Sequence, residues 1–165
     1  MIKTALVPIA EGSEELEAVT IIDVLRRAGV EVTVASANEG EKLQISGSNG
    51  TNIVADKMLN SCADNSYDLI AVPGGIPGSE HLAEHPILDS LLRKQAEQGK
   101  LIGAICAAPA VVLASKGLLL DKIATCYPSY QQGLEAKEVD SEARVVVDGS
   151  YITSQGPGTS LDFAL

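Results

Sequence analysis

Leu101-Ile102-Gly103-Ala104-Ile105-Cys106-Ala107-Ala108-Pro109 is the stretch on which the fold turns. Leu101–Ile105 is a short apolar run bounded by turn signals, which reads as a buried strand. Cys106 then sits at a sharp turn, and a helix starts at once over Pro109–Ser115. Ala104 and Ala108 flank the cysteine at minus two and plus two, where bulk would push strand and helix apart. The arrangement resembles a nucleophile elbow. A thiol there faces the positive end of a helix dipole, which favours thiolate. Free cysteine is also a common small buried hydrophobe, so the residues around the sulfur must decide between a reactive thiol and a packing one.

Outward from this stretch, strand and helix patterns alternate. Thr4–Pro8, Val30–Ala37 and Tyr67–Val72 read as strands. Glu14–Arg27 reads as a helix closed by Gly29, and Pro86–Gln98 as another, with Pro86 in its first turn and Gly99 past its end. Leu43–Ile45 and Asn52–Ala55 pair around a Ser46–Gly50 turn as an excursion from the main sheet. Arg144–Val147 and Tyr151–Ser154 read as a hairpin around Asp148-Gly149-Ser150, and a helix starts at Thr159. Strands separated by helices imply an α/β fold, a mainly parallel sheet with helices on both faces. Sites in such sheets lie beyond the carboxyl ends of strands. Ala10–Ser13, Pro73–Gly78 and Cys106–Pro109 leave from those ends. The chain stops at Leu165, about two turns into a helix. The expectation is that a partner covers that end or that the chain continues.

The 165 residues suit one domain with a real core. Apolar content of 45% with 21% charged residues excludes a disordered or fibrous chain. A net charge of −10 argues against binding a nucleic-acid backbone, and no apolar stretch approaches a membrane span. Met1–Ala10 is too brief for a signal peptide. Cys62, Cys106 and Cys126 include no C-x-x-C pair, so a disulfide framework and a zinc site are not expected. A reducing cytoplasm is the expected compartment.

Glu17 is the second informative residue. On a helical wheel it lies with Ile21, Val24 and Ala28, whereas Asp23, Arg26 and Arg27 face away. A carboxylate on an apolar stripe needs a partner, and the Cys106 sulfur is a candidate. Protonated, Glu17 donates to a thiolate; ionised, it is a general base. The plainer reading is a capping carboxylate. Glu14 is the rival, with capping the better account of it. Gly74 and Gly75 follow a buried strand, where their N–H groups and that of Ala107 form an oxyanion hole or the glycines merely serve a tight turn. Tyr127 lines a pocket or simply packs. His81-Leu82-Ala83-Glu84-His85 matches H-x-x-E-H, but Pro86 disfavours helix at His85 and no third ligand is evident. No metal is expected, and exposed loop polarity is the reading taken. Both histidines precede Cys106, which disfavours Cys-His proteolysis.

The chain resembles the ThiJ/PfpI superfamily nearly end to end, in the branch of the Parkinson-associated deglycase (DJ-one) and bacterial YajL. The resemblance is carried by Glu11–Val19, Val72-Pro73-Gly74-Gly75, Ala104–Pro109 and Thr153–Thr159. It implies a flavodoxin-like three-layer sandwich, a class I glutamine amidotransferase-like domain and a homodimer. It also implies that Cys106 is the easily oxidised cysteine, that Glu17 is its protonated partner, and that the backbone around Gly75 and Ala107 is the oxyanion site. The activities it implies are a cofactor-free glyoxalase or deglycase acting on methylglyoxal, glyoxal or their adducts, or else a redox-sensing chaperone whose cysteine oxidises to sulfinate. Three departures stand out. Tyr127 occupies the place of a common histidine, Asn49 that of a common arginine, and relatives extend beyond Leu165 with further helix.

Overall fold

The computed structural model describes residues 2–165. In chain order its elements are β1 (Thr4–Ile9), α1 (Glu15–Arg27), β2 (Glu31–Ser36), β3 (Gln44–Ser46), β4 (Asn52–Val54), β5 (Lys57–Met58), β6 (Leu69–Val72), α2 (Gly78–Glu84) and α3 (Pro86–Glu97). They continue as β7 (Leu101–Ile105), β8 (Ile123–Ala124), α4 (Pro128–Gln131), β9 (Glu138–Val139), β10 (Val145–Asp148), β11 (Tyr151–Ser154) and α5 (Ser160–Ala164). The main sheet has seven strands in the order β10-β11-β7-β6-β1-β2-β5. All its pairings are parallel except β10 with β11. This is the flavodoxin-like α/β arrangement expected. β3 and β4 form a separate antiparallel ribbon, the expected excursion.

The sheet is buried on both faces because its strands carry apolar residues at both parities. Ala5, Val7 and Ile9 of β1 face one cluster with Ala18 and Ile21 of α1, together with Ala71 and Ile105. Leu6 faces the other, with Ile70, Val72, Ile102 and Ala104 of the sheet and Leu88, Leu91 and Leu92 of α3. From β1 the chain moves outward to β2 and β5, then returns to the far side of β1 for β6 and β7. The winding therefore reverses between β1 and β6, where such folds open a crevice beyond the strand ends.

Local chemistry sets the ends of α1. Glu14 is the N-cap, and its Oε2 accepts the Glu17 N–H at 2.7 Å. Arg26 and Arg27 sit in the last turn, which suits the helix dipole. The buried face is Glu15, Glu17, Ala18 and Ile21. Ala28, expected on the apolar stripe, is instead the exposed C-cap residue, so the stripe ends a turn earlier.

Other expectations are corrected. The segment through His81 is not a loop, because α2 runs from Gly78 to Glu84. His85 is extended, at φ −77° and ψ 115°, as a residue before proline must be. The segment after Cys106 is helical but not α-helical: Pro109–Leu113 is a π turn and Ala114–Lys116 a 3-10 turn. Ser115 Oγ donates to the carbonyls of Val111 (2.7 Å) and Val112 (3.2 Å), competing with the backbone for those acceptors. Among the described residues, no helix is long and apolar enough to cross a membrane.

Candidate active site

The loops that follow β1, β6 and β7 meet at the switch between β1 and β6. Cys106 stands directly after β7 at φ 64°, the only non-glycine residue with positive φ among those described. That conformation costs roughly 1–3 kcal/mol and persists only where neighbours over-determine it. Two backbone bonds do so here. The Cys106 N–H donates to the Ser154 carbonyl at 3.0 Å, and its carbonyl accepts the Tyr127 N–H at 2.7 Å. A sharp turn with a displayed side chain is the elbow expected from the small residues around it.

Gly74 leaves room for the Glu17 carboxyl beside Cys106. A Cβ at Gly74 would lie 2.5 Å from the Cys106 Cβ and 2.8 Å from Glu17 Oε2. Any other residue would force the thiol and the carboxyl apart. Gly75 has φ 89° and packs against the backbone of the Gly12–Glu14 loop. Its N–H and that of Ala107 favour the ionised form of the Cys106 sulfur. An oxyanion hole and a tight turn would both use glycine backbone in this place.

Glu17 is fully buried in the first turn of α1. Its Oε2 accepts the Gly74 N–H at 2.7 Å. Its Oε1 has no partner of regular hydrogen-bond geometry, and the Cys106 thiol is the side chain with which the carboxyl interacts. Burial pushes the Glu17 carboxyl up to about 7, with the Gly74 N–H opposing and the Glu14 charge reinforcing the rise. Near neutrality it therefore exists in both protonation states, as a shuttle group requires.

The thiol departs from the simple expectation of a sulfur made acidic by a helix start. Burial, followed by the Glu17 charge, pushes Cys106 up to about 12, while the Gly75 and Ala107 N–H groups pull it down. The two acids thus compete for one negative charge and titrate as a pair. Once Glu17 takes a proton, its repulsion of a thiolate disappears and its O–H becomes a donor available to sulfur.

Glu14, the rival carboxyl, caps α1 as expected, and its Oε1 accepts from Asn49 Nδ2 at 3.3 Å. Tyr127 caps the short α4 and is 42% exposed. Its ring lies over Gly156, where an added Cβ would be 3.2 Å away. Cys62 and Cys126 are wholly buried in the opposite core cluster, which suits packing thiols. Burial pushes Cys126 up to about 11.

His81 is exposed, with Nδ1 2.9 Å from the Glu11 carbonyl oxygen. Among the described residues, no group of three or more His, Cys, Asp or Glu is placed to hold a metal ion. A cavity of about 640 Å³ lies beside α2, lined by Glu11, Asn38, Glu39, His81 and Glu84 among others, and does not include Cys106.

Glu15 is the residue that sequence reasoning missed. It is buried and accepts from the backbone N–H groups of Asn49 (3.0 Å) and Thr51 (3.2 Å) and from Ser48 Oγ (3.2 Å). It clamps the turn after β3 against the start of α1. The available signal was a third acid at a helix start together with a turn rich in Ser, Asn and Gly.

Residues 3–165 match the model of the DJ-1/PfpI family. The chain is 51% identical over 160 residues to Protein DJ-1 homolog B of Arabidopsis thaliana, covering 97% of this chain and 36% of that protein. It covers 41% of homolog A from the same plant, and so spans less than half the length of either. It is 38% identical over 165 residues to the Glutathione-independent glyoxalase DJR-1.2 of Caenorhabditis elegans, covering 99% of this chain and 86% of that one. The solved structure of oxidized DJ-1 from Toxoplasma gondii superposes with a TM-score of 0.93 at 44% identity, covering 98% of this chain and 86% of that chain.

Proposed function

The chain belongs to the DJ-1/PfpI family, and from that premise we propose that it is a cofactor-independent glyoxalase or deglycase acting on methylglyoxal, glyoxal or their adducts through Cys106. The observation that carries this reading is Cys106 at φ 64°, with the Glu17 carboxyl and the Gly75 and Ala107 N–H groups converging on its sulfur. A relative named as a glutathione-independent glyoxalase supports the substrate class.

The chemistry follows from these groups. The Cys106 thiolate adds to the aldehyde carbon, forming an S–C bond, and the carbonyl electron pair moves to oxygen. The N–H groups of Gly75 and Ala107 hold the developing oxyanion. The oxygen takes up a proton to give a hemithioacetal. Glu17 as carboxylate then removes the proton from the former aldehyde carbon and returns it to the adjacent carbon, while the hydroxyl proton passes from the first oxygen to the second, which yields a thioester. Water releases the hydroxy acid and the free thiol. The sum, α-oxoaldehyde plus water to α-hydroxy acid, is redox-neutral, because the ketone carbon is reduced as the aldehyde carbon is oxidised. Release of a glycated amine from an adduct begins at the same carbon. Lactate should form from methylglyoxal with wild type and be lost in Cys106→Ser and Glu17→Gln; full activity in either variant overturns the reading.

The alternative reading is a redox sensor and chaperone. Cys106 is 8% exposed, so on this reading a peroxide must reach a nearly buried sulfur. Oxidation to sulfinate would place its oxygens against Glu17 and the two N–H groups. Intact mass after mild peroxide should then show two added oxygens on Cys106 before Cys62 or Cys126 reacts. Selective oxidation without aldehyde turnover would favour this second role. We place the protein in the cytoplasm as a homodimer.

A further inference from the structure

The turn after β11 closes on a buried run of hydrogen bonds that the proposed chemistry does not touch. Ser154, Gly156 and Thr159 are all buried. The Gly156 N–H donates to Thr159 Oγ1 at 3.1 Å. Thr159 Oγ1 lies 2.6 Å from Ser154 Oγ, which donates to the Arg144 carbonyl at 2.6 Å. An amide N–H can only donate and a carbonyl can only accept, so the direction of the run is fixed. Ser154 gives its proton to Arg144 and must accept from Thr159. The Gly156 carbonyl is also 2.9 Å from Thr159 Oγ1, but it already accepts the Thr159 N–H at 2.9 Å. Each hydroxyl thus accepts once and donates once.

Both supports of the strained elbow rest on this run. The Ser154 carbonyl accepts the Cys106 N–H at 3.0 Å. The Tyr127 N–H holds the Cys106 carbonyl at 2.7 Å, and the Tyr127 ring lies over Gly156. A positive φ at a non-glycine residue survives only where its surroundings over-determine it. We propose that Thr159, remote from the cysteine in sequence, is a positioning residue for Cys106: through Ser154 on one side and Gly156 on the other, its hydroxyl holds the elbow at φ 64° and with it the direction of the thiol. The inference rests on Cys106 being the reactive nucleophile and does not depend on which electrophile it attacks.

Thr159→Val keeps the branched shape and removes both the acceptor of the Gly156 N–H and the donor to Ser154. Hydrogen exchange at the Cys106 amide should lose protection in this variant. The Ile102 amide, bonded to the Ser150 carbonyl at 2.9 Å at the other end of the same strand pair, should keep it. Iodoacetamide forms an S–CH₂ bond at the thiolate and expels iodide. It should react with Cys106, located by peptide mass, about tenfold more slowly than in wild type at neutral pH, because the Gly75 and Ala107 N–H groups no longer favour the ionised sulfur. Thr159→Ser, which returns the hydroxyl, should restore both readouts. Ser154→Ala combined with Thr159→Val should be no slower than the slower single variant, since members of one run are coupled. An unchanged or faster alkylation rate in Thr159→Val overturns the inference, and so does protection lost equally at Ile102 and not restored by serine. Should Thr159→Val not fold, Ser154→Ala carries the same two readouts. Lactate formation from methylglyoxal is measured on the same preparations. A wild type without lactate removes the glyoxalase reading while exchange and alkylation still decide this inference, and lactate with an unaltered Thr159→Val does the reverse.

Discussion

At Glu17, burial acts on the proton that the proposed chemistry would move. Its carboxyl rises from 4.5 to about 7 in the fold. Between those two values the folded state holds a proton that the unfolded chain has released. Stability is therefore full below the unfolded pKa and falls as pH rises through the folded one. At about 1.4 kcal/mol per pKa unit, the loss is on the order of 3 kcal/mol. Urea denaturation of wild type should show this decline between pH 5 and pH 8, and Glu17→Gln, which cannot ionise, should be flatter by a similar amount. Parallel profiles would mean that Glu17 is already charged in the fold. Gly74→Ala tests the close approach that makes the pair possible. Its Cβ would meet Cys106 Cβ at 2.5 Å, so the variant should lose about 1–3 kcal/mol. Its Cys106 should also alkylate more slowly than wild type in the folded protein.

At the scale of elements, the start of α1 is held by long-range bonds as much as by its own cap. Glu15 accepts from part-buried backbone donors at Asn49 and Thr51, and because water can replace the carboxylate there, Glu15→Ala should cost about 0.5–1.5 kcal/mol. Hydrogen exchange at those two amides should quicken in the variant more than at the β1 amides. Burial opposes ionisation of Glu15, but the bonds from its own backbone, Thr51, Asn49 and Ser48 together hold it below the usual carboxylate range. Its contribution is thus present above the unfolded pKa and lost as pH falls through the folded one, opposite in sign to that of Glu17.

This division also explains what was legible in the sequence. The central strands β1, β6 and β7 announce themselves because a parallel sheet covered on both faces needs unbroken apolar runs. Cys106 is legible because an elbow needs small residues at fixed offsets. β5, β8 and β9 are two residues long each and exist only through their pairing partners. The polar surface of α2 hides its helix, since one Leu82 on the inner face makes no visible period. The bond from Gly74 to Glu17 joins positions 57 residues apart, and the upward push on the thiol comes from burial. Neither is a property of a local stretch.

Considered whole, the molecule is strongly acidic, with a net charge of −10, yet it leaves apolar side chains uncovered on one side. Leu16 (51%), Val19 (48%) and Val54 (65%) are exposed on α1 and β4. Val19, Ile22, Ile53 and Val54 line a common groove between those elements. An isologous pair formed through this face would bury the outer side of the same helix whose inner side carries Glu17, tying assembly to the site. A stable interface needs about 800 Å² from each partner, more than these side chains supply alone, so the polar rim at Asp23, Arg26 and Asp56 must take part. Two bodies of like charge repel, and the repulsion is screened by salt while apolar burial is not. Sedimentation velocity should therefore show a dimer that tightens as salt rises from low to physiological concentration. Val19→Asp should sediment as a monomer at the same concentrations. Thermal midpoints supply the complementary reading, because linkage makes them depend on protein concentration only where association stabilises the fold. Wild type should show that dependence and Val19→Asp should not. A wild-type monomer at tens of micromolar would remove the proposed homodimer and leave the chemistry at Cys106 to a single chain.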